Sequence, residues 1–219
     1  MFIGHFAVGL AAKKISPRIK LGTLFLASQL IDLIWPLFIL LGLEHVRVDP
    51  GNTAVVPLDF YNYPFTHSLA GVLFWAVILG LIFYFIRKVI KDSVLIGLLV
   101  ISHWVLDLIT HRPDLALAPG SDMFFGLGLW NSFNASLIAE FTIFVIGAIL
   151  YLKITTAKDK TGVYAFWGLS IFLIAITLGN YYGPPPPDNS TVIGLVGMIQ
   201  WLFIPWAYWI DRHRTVRVI

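Results

Sequence analysis

The sequence predicts an all-α fold: a polytopic transmembrane helical bundle of six spans preceded by a short N-terminal half-helix. Three observations predict it. Only 12% of the 219 residues are charged, against ~25% in an ordinary soluble domain. Hydrophobic residues make up 58% and the mean hydropathy is +0.82, more apolar surface than a soluble globule of this length could hide. Six apolar stretches reach the ~20 residues that a helix needs to cross a bilayer. This composition excludes a soluble enzyme, a disordered tail and a DNA-binding module. The expected partner is the lipid bilayer, not nucleic acid. The chain has no cysteine, so thiolate metal sites and disulfides are excluded as well.

The first element, Phe2–Ala12, is apolar but too short to span. Lys13 and Lys14 follow it, the reverse of the order in a cleavable signal. It reads as a half-helix that enters the membrane or packs on the bundle. The spans follow as Leu21–Leu43, Pro64–Ile86, Ser93–Thr110, Asn134–Leu152, Val163–Asn180 and Val192–Ile210. Pro64 marks the start of the second span, and Thr66 is placed to cap it. Pro36 and Pro205 are placed to break the first and the sixth. The whole chain, 1–219, is expected to form one integral membrane domain. Residues 1–112 carry the candidate site, and 113–219 supply an outer loop and three further spans.

Basic residues support this count. Lys13, Lys14, Arg18 and Lys20 precede the first span. Arg87, Lys88 and Lys91 lie between the second and third, and Lys153, Lys158 and Lys160 between the fourth and fifth. Arg212, Arg214 and Arg217 follow the sixth. With six spans, thirteen of the 15 basic residues fall on one side, and only Arg47 and Arg112 on the other. The positive-inside rule makes the first side cytoplasmic, and with it the C-terminus. The outer segments 44–63 and 111–133 are rich in Asp, Gly, Pro and aromatics and suit lids or binding loops. Pro184–Pro187 in the third outer segment reads as a stiff spacer.

An ionisable residue at the bilayer centre costs ~2.5–3.5 kcal/mol and usually faces the bundle interior. Here these residues are His5, Asp32, His67, His103, Asp107 and Glu140, with Gln29 and Gln200 adding uncharged polarity. Counted from the nearest cytoplasmic basic residue at ~1.5 Å per residue, His5 lies ~14 Å in and Asp32 ~18 Å in. His103 lies ~18 Å in, Asp107 ~24 Å and Glu140 ~20 Å. His67 comes out at ~30 Å, at the mouth of that layer. Agreement in depth among four segments points to a single site.

Ser102-His103-Trp104-Val105-Leu106-Asp107-Leu108-Ile109-Thr110-His111 is the strongest local pattern. His103 and Asp107 are i, i+4, so both project from one helix face. His111 follows one turn further out. Ligands one turn apart on a helix are the geometry of helical zinc motifs, and a structural His–Asp hydrogen bond uses the same spacing. The whole set offers three imidazoles and two carboxylates, with His111 and Glu140 as further candidates. Nitrogen and oxygen donors without sulfur suit Zn, Mn or Fe, and Zn or Mn would serve hydrolysis. Gly9 and Gly71 sit one turn after His5 and His67, where small residues let helices approach closely.

These residues bring the chain into resemblance with a known family, the membrane-bound (inner-membrane) metal-dependent hydrolases. That family's pattern runs G-H near the N-terminus, an acidic motif in the next helix, T-H-S at a helix start, then S-H-x-x-x-D-x-x-T. Here it stands as Gly4-His5, Asp32, Thr66-His67-Ser68 and Ser102-His103…Asp107…Thr110, within roughly the first 112 residues. Many members carry P-D-x-D-H where this chain has Gln29-Leu30-Ile31-Asp32-Leu33, and H-R where it has Tyr61-Asn62-Tyr63-Pro64. These departures count against a second metal ion. The resemblance implies a bacterial inner-membrane location and metal-dependent hydrolysis.

Three functions compete. In the first, His5, His67, His103 and Asp107 hold one divalent ion, Zn before Mn. Asp32 and Glu140 are then the candidate catalytic residues, with Asp32 and His111 as possible additional ligands. The substrate would be a lipid-like ester or phosphoester, and Arg112 could pair with a phosphate. In the second, a permease uses the buried His and Asp residues as a proton or cation path. Against it, the sequence shows no inverted repeat. In the third, the protein is a catalytically inactive membrane scaffold, which accounts poorly for the common depth. Oligomeric state is not legible in the sequence.

Overall fold

Met1 is followed directly by helix α1, Phe2–Ile15, and nine of its fourteen residues are buried. The computed structural model describes residues 1–217. The further helices are α2 (Leu21–Leu40), α3 (Leu69–Arg87), α4 (Ile90–Thr110), α5 (Phe133–Ile154), α6 (Lys160–Tyr182), α7 (Ser190–Met198) and α8 (Phe203–Arg212). A 3₁₀ turn at Ile199–Leu202 joins α7 to α8, and the run Ser190–Arg212 has the length and hydropathy of one span. With α2 to α6 this makes six helices long and apolar enough to cross a membrane. The protein is an all-α multi-pass bundle with α1 as an added half-helix.

α1 stands at the centre of that bundle, which its length alone does not disclose. It packs most extensively on α5, with α2 next. A side chain at Gly147 of α5 would strike the Ala7 carbonyl, so glycine is what permits this approach. Two apolar cores flank α1 and α2. One gathers Leu24, Ile31, Val72, Ile96 and Val100 from α2, α3 and α4. The other gathers Phe6, Phe25, Phe144, Phe166 and Phe203 from α1, α2, α5, α6 and α8.

The structure differs from the sequence expectation at three points. α3 begins at Leu69, not Pro64, and its N-cap is Ser68, whose hydroxyl accepts from Gly71 N at 3.0 Å. Thr66 is not the cap, because Glu44 takes its hydroxyl. Pro36 does not break α2, which runs unbroken from Leu21 to Leu40. The sixth span does break, at the 3₁₀ turn just before Pro205. A proline in the first turn of α8 lacks an N–H that the preceding residues would otherwise have to satisfy.

Three small antiparallel strand pairs close the ends of the bundle. They are β1 (His45–Val48) with β2 (Leu58–Asn62), β3 (Leu115–Ala116) with β4 (Phe124–Phe125), and β5 (Thr155–Ala157) with β6 (Arg214–Val216). The first two lie within segments 44–63 and 111–133. The third joins the end of α5 to the segment after α8.

Candidate metal centre

Helices α1, α2 and α4 and the turn before α3 bring five ionisable side chains together. His5 comes from α1, Asp32 from α2, His67 from the turn, and His103 and Asp107 from α4. The i, i+4 pair on α4 lies with His103 Nε2 3.1 Å from Asp107 Oδ2. The same Nε2 is 3.4 Å from Asp32 Oδ1, and His67 Nε2 is 3.5 Å from that oxygen. His67 Nε2 is 4.0 Å from Asp107 Oδ2. Donors sharing one small cation at ~2.0–2.2 Å sit ~3.0–3.5 Å apart in tetrahedral or octahedral geometry. Three of these four spacings match, and the fourth is long. His103 Nε2 is buried without a well-formed hydrogen bond, although Asp107 Oδ2 lies 3.1 Å away and Asp32 Oδ1 3.4 Å away. A buried imidazole nitrogen facing two carboxylates is an arrangement that can share a cation or form an ion pair.

The far sides of two imidazoles are held. Thr66 Oγ1 donates to Glu44 Oε2 at 2.7 Å and so accepts from His67 Nδ1 at 2.7 Å. His103 Nδ1 faces the carbonyl oxygen of Ser28 at 2.9 Å, which can only accept. The network therefore places a proton on Nδ1 of both rings, so that in the neutral form each ring offers its Nε2 lone pair to the site. Outer partners of this kind fix the orientation of metal-ligating histidines. Gly9 serves the same assembly, since a Cβ there would come within 2.8 Å of Phe25 and 2.9 Å of Ser28 Oγ. Gly71 acts differently from expectation. Its Cβ would meet the Phe65 carbonyl at 2.5 Å, so it makes room for the His67 turn and not for a neighbouring helix.

His5 sits one step to the side. Its ring stacks on His103 at 3.6 Å and 5°, and its Nε2 lies 3.1 Å from Asp107 Oδ1, the carboxylate oxygen turned away from His67. His5, His103 and Asp107 form one group of donors able to hold an ion, and Asp32, His67 and His103 form another. His103 belongs to both. The Met1 amino nitrogen is 2.9 Å from Asp107 Oδ1.

His67 is not at a distant mouth, as the depth count suggested. The count assumes helix back to Arg87, whereas residues 64–68 are a turn that folds the imidazole inward. Glu140 stands outside both donor groups. It accepts from Ile3 N at 3.0 Å and from the Tyr181 hydroxyl at 3.4 Å. A carboxylate at the N-terminus of α1 suits that helix's dipole, and this is the contact Glu140 makes. His111 lies one layer further out. Its Nδ1 is 3.0 Å from Asp114 Oδ1 and 3.2 Å from the Tyr63 hydroxyl, and its ring packs on Trp130. Burial, then the charge of Asp114, pushes the Tyr63 hydroxyl up, so it stays protonated and donates to Asp114 at 2.8 Å. Arg112 pairs with Asp59 and with Asp114, and Asp59 also takes Arg47 at 2.7 Å. Its charge is already matched, which removes the reason to assign it a phosphate.

Sequence reasoning missed Glu44. It is fully buried and accepts from Phe65 N, Thr66 N and Thr66 Oγ1 at 2.7–2.8 Å. Burial pushes its carboxyl up, while His67 and these donors pull the other way. Its position just beyond an apolar run marks it only as an interfacial acid, and no spacing ties it to Thr66 twenty-two residues on.

Fold and site together define a multi-pass membrane protein with a buried His–Asp cluster whose donor atoms lie close enough to share a cation. No protein-family model, curated protein or solved structure matches the chain.

Proposed function

We propose that the protein is a membrane-embedded, metal-dependent hydrolase acting on an ester or phosphoester of a lipid-like substrate. The observation that carries this reading is the convergence of two bare Nε2 atoms, from His67 and His103, on the carboxylates of Asp32 and Asp107. These four residues would hold one divalent cation, Zn before Mn. His5 would steady Asp107 through its second oxygen or take part as a further ligand. When bound, such an ion acts as a Lewis acid and brings the pKa of water towards ~7.

The chain's own residues divide the remaining work. Asp32 has a side chain 23% exposed, whereas those of His5, His67, His103 and Asp107 are 1–6% exposed. It is therefore the group that an entering substrate meets. Oδ1 faces the two imidazoles, and Oδ2 would accept a proton from the attacking water as general base. Asp107, tied between His5 and His103, is less free to do so. Trp35 and Tyr63 pack against His67 and exclude water from that side of the cluster. The resemblance carried by Gly4-His5, Thr66-His67-Ser68 and Ser102-His103…Asp107 supplies the reaction class, and it implies a bacterial inner membrane. The basic-residue pattern supports a cytoplasmic C-terminus.

The test is hydrolysis of a vesicle-borne panel of carboxylic and phosphate esters. Activity should appear in wild type, fall on chelation, and fall by a factor of about 10²–10⁴ in Asp32→Asn, the range of a lost general base. Metal-loaded protein that cleaves none of the panel, yet moves protons or cations in proteoliposomes until Asp32→Asn stops it, would favour a permease instead.

A further inference from the structure

α3 is the least buried of the spans, and apart from slight contact with α2 it packs on α4. Between these two helices runs an apolar groove of about 530 Å³. Its floor is made of small residues, Ala76 and Gly80 on α3 and Ser93 and Gly97 on α4. A Cβ on either glycine would press to 3.3 Å on the opposite backbone, so the small floor residues let the two helices approach closely. Its walls are large and exposed: Val77 and Leu81 on one side, Val94 and Leu98 on the other.

The groove has a direction. Tyr84 and Ile90 line one end, beside the α3–α4 link, and Ala76 and Ile101 line the other. From Ile90 to Ile101 α4 rises ~16 Å, about the depth of one leaflet of a ~30 Å hydrocarbon core. The link itself carries Arg87, Lys88 and Lys91, all exposed. Lys88 holds a left-handed backbone, φ 56°, and its ammonium lies 5.5 Å over Tyr84 and 4.8 Å over Phe85. The carboxylate of this segment, Asp92, is taken by the Ser16 hydroxyl at 2.6 Å, away from the groove. An apolar slot one leaflet deep therefore ends in three cations, the pattern that recognises an anionic lipid headgroup.

We propose that this groove seats an acyl chain of one anionic phospholipid from the basic membrane face, with its phosphate held by Arg87, Lys88 and Lys91. The site is separate from the His–Asp cluster. His103 follows Ile101 by two residues, which places it on the opposite face of α4. One helix thus presents ionisable groups to the core and the lipid slot to the bilayer. The proposal does not depend on the hydrolase reading.

Native mass spectrometry of the full chain, equilibrated in micelles with equal dioleoyl-phosphatidylglycerol and dioleoyl-phosphatidylcholine, tests it. Wild type should retain one phosphatidylglycerol in preference. Arg87→Gln, Lys88→Gln and Lys91→Gln should each lower the ratio of the two lipids, roughly fivefold per cation removed. Val94→Trp, which lays a ring across the slot and leaves the cations in place, should reduce bound lipid of both kinds. All four positions are exposed, so the fold is not at stake. Equal retention of the two lipids by wild type would overturn the proposal, as would unchanged retention in Val94→Trp. A wild-type dimer that Val94→Trp dissociates would assign the groove to a second copy and overturn it too.

Discussion

A neutral histidine offers one lone pair, and the partner of its other nitrogen decides which nitrogen that is. At His103 the partner is the Ser28 carbonyl, and at His67 it is the Thr66 hydroxyl backed by Glu44. Residues outside the donor groups therefore set which nitrogens face the site. Glu44→Gln keeps the shape but can turn an amide N–H towards Thr66 Oγ1, freeing that hydroxyl's proton for His67 Nδ1. Thr66→Val removes the link outright. Both should weaken Zn binding by about 10- to 100-fold, the usual cost of such outer partners, in a competition titration with a chelating dye. Thr66→Ser should restore it. The donors themselves are legible in the sequence, because His and Asp in an apolar span are rare and costly. Glu44 is not, since its partner is fixed by the fold of an outer loop and no periodicity connects the two.

At the scale of the element, the ends of α3 show what hydropathy and proline can tell. Pro64 and the apolar run that follows look like a helix start, yet residues 64–68 form a turn and Ser68 caps the helix. The two hydroxyls of Thr66-His67-Ser68 thus have separate duties, one to the histidine and one to the helix. Ser68→Ala should cost ~1 kcal/mol of stability in denaturant unfolding, the value of an N-cap, and leave Zn affinity near wild type. Thr66→Val should show the reverse balance. The sequence pointed to Thr66 as the cap, and the carboxylate of Glu44 takes its hydroxyl while Ser68 caps the helix. The remaining helices follow the apolar runs because lipid demands continuous backbone hydrogen bonding across the core. The strand pairs beyond them answer to turn geometry and cross-strand pairs such as Arg47 with Asp59, which hydropathy does not encode.

Across the whole molecule, α1 and α2 both contribute to the two apolar cores, and a buried ion pair fixes the end of α1. Lys13 Nζ lies 2.6 Å from Asp211 Oδ2 on α8, and Asp211 also accepts from Leu21 N and from the Tyr151 hydroxyl. Lys13 thus helps to mark the basic face in sequence and acts in the structure as an internal tie. Asp211→Ala should destabilise the bundle by roughly 3–5 kcal/mol, because it strands a buried ammonium. The double variant Lys13→Met, Asp211→Leu should lose less, which a comparison of unfolding midpoints would read. Six spans were legible from composition and charge, and the depth count grouped His5, Asp32, His103 and Asp107 correctly while it set His67 apart and drew in Glu140. The central place of α1 was not legible, since it rests on close approaches such as Gly147 against Ala7.

The measurement closest to the central claim is the metal content of the purified protein by elemental analysis. The site geometry predicts about one equivalent of Zn, or Mn in its place, retained by wild type and lost in His103→Ala. Protein that takes up no divalent ion even when one is supplied, with His103→Ala folding as stably as wild type, would contradict it.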